Sequence, residues 1–151
     1  MDPDSFAASL ERFRNAYNTL FDLLGNYPVE HREQPGACGE WSPRQTLAHL
    51  CGWIIEAHKR YSDIAAGDEN DIDYEDLEGF NAASVAQRDR MDWNSVVSEL
   101  RGLAHDLSLR AAVVPPSIAA NDSRYGQWLD TLSDDCEAHT IQLRAFIDAG
   151  V

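Results

Sequence analysis

An all-α protein, a bundle of four amphipathic helices in one domain, is what this sequence predicts. Three observations predict it. Apolar residues recur at three-and-four spacing over long stretches. The stretches end at glycine and proline, as helices do, and no segment reads convincingly as a strand. At 151 residues the chain fits a single domain spanning 1–151, long enough to enclose a real core.

The first helix is expected over 4–26. Phe6, Leu10, Phe13, Tyr17, Leu20, Phe21 and Leu24 form one stripe, and Gly25, Asn26 and Pro28 stop it. The second has the clearest start. In "EWSPRQTLAHLCGW", Ser42 is a natural N-cap, Pro43 suits the first helical position, and Gln45 completes a capping box with Ser42. Leu47, Leu50, Ile54, Ala57 and Tyr61 make its stripe and Gly67 ends it. Gly52 inside this helix costs about 1 kcal/mol relative to alanine, so a neighbouring helix is expected to approach closely there.

An acidic run, "GDENDIDYEDLEG" (67–79), reads as a solvated linker. The segment from Phe80 to Val113 then reads as one long helix or two collinear ones, with Val96, Val97, Leu100, Leu103, Ala104, Leu107 and Ala111 inward. "VVPPS" is a firm stop, because two prolines cannot continue the hydrogen-bond ladder. The last helix starts near Ser123 or Tyr125, carries Trp128, Leu129, Leu132, Cys136, Leu143, Phe146 and Ile147, and closes at Gly150. The connections after helices one and two are long, so simple up-down-up-down connectivity is not required.

A net charge of −14, from 26 acidic against 12 basic side chains, repels phosphate backbones and anionic lipid surfaces. Nucleic acid and membranes are therefore excluded as expected partners. The start of the chain is acidic where a signal peptide needs basic residues, and no apolar stretch has the length of a membrane span, so the cytoplasm is the expected compartment. Cys38, Cys51 and Cys136 lack zinc-site spacing and read as reduced thiols.

Polar groups fall on faces that should be buried. At 100° per residue, His139 lies about 20° and Asp135 about 60° from Leu132, the centre of the last helix's apolar arc. On helix two, His49 lies about 100° from Leu50, on the shoulder that also carries Trp53 and Glu56. His58 and His105 read as surface residues. His49, Asp135 and His139 together make a sufficient first shell for Zn²⁺, Ni²⁺ or Fe²⁺ with positions open for water or substrate. The alternative is that Asp135 simply pairs with a buried His139 and no ion is involved.

The stretch "GEWSPRQTLAHLCGW", with Gly39, Trp41, Ser42, His49, Leu50 and Trp53, resembles the signature of the DinB-like (DinB/YfiT) superfamily, most closely its ClbS/DfsB branch. The resemblance extends through Phe80-Asn81, Trp93 and Val96-Val97 to His139. It implies a four-helix bundle with a divalent metal held by three histidines, one on helix two and two from an H-x-x-x-H pair on the last helix. His49 and His139 match two of these ligands, and Asp135 stands where the third histidine is expected. It also implies chemistry on a small electrophile or thiol conjugate, as a hydrolase or as a transferase using a low-molecular-weight thiol, and pairing into a homodimer.

Three functions follow as expectations. In the first, the ion held by His49, Asp135 and His139 activates water or a thiol, Glu56 is the nearest general base, and Trp41 and Trp53 line the pocket. In the second, a metal-free hydrolase or binding protein of the ClbS/DfsB kind uses the same polar groups with Asn81, although Asn81 fits better as an N-cap of helix three. In the third, the chain is a dimerising bundle without turnover.

Overall fold

Ser42 sets the second helix as its neighbours dictate. Its Oγ accepts from the Gln45 N–H at 3.2 Å, while Gln45 Oε1 accepts from the Ser42 N–H at 2.9 Å, and Pro43 opens the first turn. The structure, a computed structural model, describes residues 3–70 and 74–150. Within them lie α1 (Pro3–Leu24), α2 (Pro43–Ala65), α3 (Leu77–Gln87), α4 (Trp93–Ala112), α5 (Pro116–Asn121) and α6 (Arg124–Asp148). A 3-10 turn at Val29–His31 and an isolated bridge between Cys38 and Trp41 organise the connection from α1 to α2. The fold is all-α, and no strand occurs among the described residues.

The four long helices close a ring. α1 lies against α4 and α6, and α2 lies against the same pair, which puts α1 diagonally across from α2. Cross-helix contacts give the directions. Arg12 meets Glu137 while Tyr27, just past α1, donates to the Leu143 carbonyl at 2.9 Å, so α1 and α6 run the same way. His49 meets Asp135 and Tyr61 reaches the Tyr125 carbonyl, so α2 runs against α6. His58 approaches the Leu103 carbonyl and Arg110 reaches Ser62, so α4 follows α2. The order is up, down, down, up. Two neighbouring parallel helices need a return crossing between them, and the long segment between α2 and α4 supplies it.

The interior is filled from all four long helices. Phe13, Leu20, Leu47, Leu50, Ile54, Val96, Leu100, Leu107, Leu129 and Leu143 are each at most 1% exposed. Cys51 and Cys136 are core residues, and burial pushes both thiols up to about 12, which makes them poor nucleophiles at neutral pH.

The sequence misses three features here. The segment expected as one long or two collinear helices is two separate ones, because the turn at Arg88–Asp92 breaks it and Asp92 caps α4 through the Ser95 N–H at 2.8 Å. The double proline stops α4 but also starts a helix, since Pro116 occupies the first turn of α5. The acidic run is also not simply a solvated linker. Buried Arg60 donates to Asp68 at 3.0 Å and to the Asn70 carbonyl at 2.9 Å, and Asp76 caps α3 through the Gly79 N–H at 2.8 Å. Residues 71–73 of that run lie outside the described residues.

Gly52 is where α3 meets α2. A Cβ on Gly52 would stand 2.6 Å from Ser84 Cβ, closer than any ordinary contact. Alanine there favours the helix by about 1 kcal/mol but overpacks the crossing at a cost of about 1–3 kcal/mol. Gly52→Ala is therefore expected to lower the melting temperature by a few degrees, and adding Ser84→Gly, which removes the clashing atoms, is expected to recover much of the loss.

Candidate metal centre

His49 sits in the second turn of α2, and Asp135 and His139 are one turn apart on α6, facing it across the antiparallel seam. The three side chains predicted to meet do meet. His49 Nε2 is 3.0 Å from Asp135 Oδ2, and His139 Nε2 is 3.1 Å from Asp135 Oδ1. One ligand atom from each residue lies within 4.8 Å of the others. The side chains are 6%, 33% and 14% exposed for His49, Asp135 and His139, so the carboxylate is the member that solvent reaches. The rings of His49 and His139 meet edge to face at 5.1 Å.

The opposite edges of both imidazoles are held by carboxamides. Trp53 Nε1–H donates to Asn81 Oδ1 at 2.7 Å, and an indole N–H can only donate, so Asn81 presents its oxygen. The same oxygen is 3.0 Å from His49 Nδ1, which must therefore carry the proton. On α6, Gln142 Oε1 lies 2.7 Å from His139 Nδ1 and accepts from the Cys38 thiol at 3.0 Å. Both rings thus donate from Nδ1 and direct Nε2 toward one carboxylate. Outer hydrogen bonds of this kind fix the tautomer of a metal-binding histidine.

Burial works against a charged Asp135, but hydrogen bonds from His139 and His49 outweigh it and hold the carboxyl well below the usual carboxylate range. Burial also works against the His139 imidazolium, yet Asp135 and the nearby Cys38 sulfur push its pKa up to about 10. The pocket is thus built to hold positive charge beside Asp135.

A groove of about 750 Å³ opens at this cluster and runs between α2, α3 and α6, with His49, Asn81 and Asp135 at one end and Trp53, Tyr74 and Trp128 along it. Trp53 lines the groove as expected. Trp41 instead covers His49, with ring centroids 5.1 Å apart, and is not among the groove's lining residues. Asn81 does not cap α3. Asp76 has that place, because the helix begins earlier than the sequence suggests, and Asn81 in its second turn is free to bond His49 and Trp53. The Glu56 carboxylate accepts from the Tyr74 hydroxyl at 2.9 Å, so its bonded partner is a groove wall and not the His–Asp–His cluster. His105 is exposed as expected, whereas His58 is half-buried against α4.

Sequence reasoning missed Gln142, Cys38, Tyr74 and Trp128 as parts of this region. Gln142 was within reach of it, since a residue three positions after a helical histidine shares its face. Tyr74 sits in a segment without periodicity, and Trp128 counts as plain core by its helical phase. Asn81→Ala removes the acceptor that orients His49 and is expected to weaken metal binding by about 10–100-fold while the fold persists. Calorimetric titration of tag-free protein measures the change.

No family model matches the chain, and no curated protein matches it. The fold is similar to that of an uncharacterised protein from Escherichia coli UTI89, with a TM-score of 0.82 over 96% of this chain and 94% of that one, at 16% identity. That similarity speaks for the fold alone.

Proposed function

We propose that this protein is a metal-dependent enzyme of DinB-like type, acting on a small electrophile or thiol conjugate. His49, Asp135 and His139 would hold one divalent ion, Zn²⁺, Ni²⁺ or Fe²⁺. The observation that carries the reading is the pair of carboxamide oxygens behind the two imidazoles. Each accepts the Nδ1 proton, so both Nε2 atoms face one carboxylate, positions that hold protons in the metal-free protein and that one ion can take in their place. The spacings of 3.0 and 3.1 Å, those of ordinary hydrogen bonds, also fit ligands at right angles on an ion with bonds of about 2.1 Å. Two nitrogens and one carboxylate oxygen suit Zn, Ni or Fe better than Ca or Mg, which favour oxygen-only shells.

When bound, such an ion supplies Lewis-acid activation of a water or thiol nucleophile. The chain's own residues supply the rest. Trp41 keeps water from one face of His49, Asn81 and Gln142 hold the rings in position, and the groove places the substrate against Asp135, the exposed member of the cluster. Glu56 and Tyr74 form a hydrogen-bonded pair at the groove wall, where a proton can be held or passed. A low-molecular-weight thiol is the proposed co-substrate, and the buried Cys51 and Cys136 thiols are poor nucleophiles.

The test is a panel of epoxides, activated alkenes and thioester conjugates, run with zinc-loaded and chelator-treated protein, with and without added thiol. Turnover that needs metal and disappears in His139→Ala supports the reading. Turnover that survives chelation supports the metal-free alternative, which the Asp135–His139 ion pair favours because it is held without an ion.

A further inference from the structure

Away from the His49–Asp135 end, the groove passes into an aromatic enclosure. Trp53 and Trp128 stand 6.4 Å apart with 38° between their planes, and Tyr74 lies edge-on to both, at 5.2 and 6.1 Å. Phe80 backs Trp53 at 4.2 Å, and the indole N–H of Trp53 is tied to Asn81, so this wall is rigid. A planar ring needs about 7 Å between two faces, twice an ordinary carbon contact. The Trp53 and Trp128 ring centres, 6.4 Å apart and tilted by 38°, are close to that spacing but not parallel. Both indoles are only partly buried, which leaves Trp128 room to swing outward.

Charge narrows the ligand further. Arg60 and Arg124 line the groove, but Arg60 is paired with Asp63 and Asp68, and Arg124 with Asp122. Asp134 and Asp135 also face it. Apart from the ion that the proposed function places at the cluster, an anionic ligand finds no unmatched positive charge among the described lining residues, whereas a neutral or cationic one meets aromatic faces and carboxylates.

Distance fixes the reach. Trp53 follows His49 by one helical turn, about 6 Å, and Trp128 precedes Asp135 by two, about 10 Å. A ring seated in the wedge therefore leaves about two to five bonds between itself and an atom at the His–Asp–His cluster.

We infer that the groove binds a substrate carrying a planar aromatic or conjugated group, neutral or cationic, tethered about two to five bonds from its reacting centre. The placement of the reacting centre rests on the proposed function, whereas the aromatic subsite stands on the wedge itself.

The experiment uses full-length, tag-free protein, with and without zinc, and reads binding by calorimetry. One arm compares naphthylethylamine with cyclohexylethylamine and naphthalenesulfonate. The naphthyl amine is expected to bind at least about tenfold more tightly than either in zinc-free protein, and to keep its advantage over the cyclohexyl amine with zinc. Trp128→Ala is expected to remove that preference with zinc content unchanged, and Trp128→Phe to keep part of it. Equal binding of the cyclohexyl amine, a preference for the sulfonate, or an unchanged Trp128→Ala overturns the aromatic subsite. The second arm is a series of naphthylalkyl hydroxamates with one to six methylenes as zinc-binding probes. An affinity maximum at intermediate length, seen only with zinc, supports the tether, and no dependence on length overturns it. Naphthyl preference without any gain from the hydroxamate supports the subsite and overturns the metal assignment, so the two failures are distinguishable.

Discussion

Replacing Asp135 by asparagine is expected to abolish tight zinc binding while the bundle stays folded. The carboxylate is the only charged ligand of the three and bridges both imidazoles, at 3.0 and 3.1 Å. Its loss is therefore expected to exceed the roughly 10–100-fold penalty for removing an outer-shell partner. Asparagine keeps the shape of the side chain and one oxygen acceptor, so local packing is little changed. The metal-free protein loses charge-assisted hydrogen bonds worth about 1–3 kcal/mol, well within a typical domain's stability. Parallel calorimetric titration and thermal melts check this. If zinc affinity is unchanged while the melting temperature collapses, Asp135 is a core polar partner and not a ligand.

The pH dependence of zinc binding should be steep and should oppose that of the metal-free fold. The His139 pKa stands near 10 in the folded protein, against an ordinary value of 6.5, because Asp135 stabilises the imidazolium more than burial penalises it. A metal ion must displace that proton, so zinc affinity is expected to fall about tenfold for each unit that pH drops below 10. An unperturbed histidine would leave affinity nearly flat above pH 7. For metal-free protein the sign reverses. A histidine whose pKa is raised by folding contributes stability fully below its unfolded value, and that contribution is lost as pH rises through the folded one. The melting temperature without zinc should therefore decline from about pH 6.5 toward 10, while zinc-loaded protein gains over the same range. At the acid end, Asp135 works the other way. Its depressed pKa means that its contribution is present above the ordinary carboxylate value and lost as pH falls below it.

What the sequence made legible was local. The capping box at Ser42 and the stripes of α1, α2 and α6 depend on neighbours one or two turns away, and they appear as expected, while Gly52 signalled a close helix approach without naming Ser84 of α3 as its source. Asp135 and His139 share a face by arithmetic alone, and the helical phase of α2 put His49 on a shoulder from which it could reach them. The parallel course of α2 and α4 was not legible, since it depends on how the return segment crosses the bundle. Asn81 was misjudged for a related reason. A favoured capping residue near an expected helix start reads as a cap, but Asp76 starts α3 earlier and the second turn then faces His49. Glu56 was placed correctly by helical phase on the shoulder of α2, but its partner, Tyr74, comes from a segment that phase does not describe.

The most direct test is zinc titration into chelator-treated, tag-free protein near pH 7.5, with protons counted by repeating the calorimetry in buffers of different ionisation enthalpy. The account predicts one ion per chain and release of the His139 proton on binding, with both absent in His49→Ala and Asp135→Asn. Zinc uptake that is absent, or that is the same in those two variants as in the unaltered protein, would contradict it.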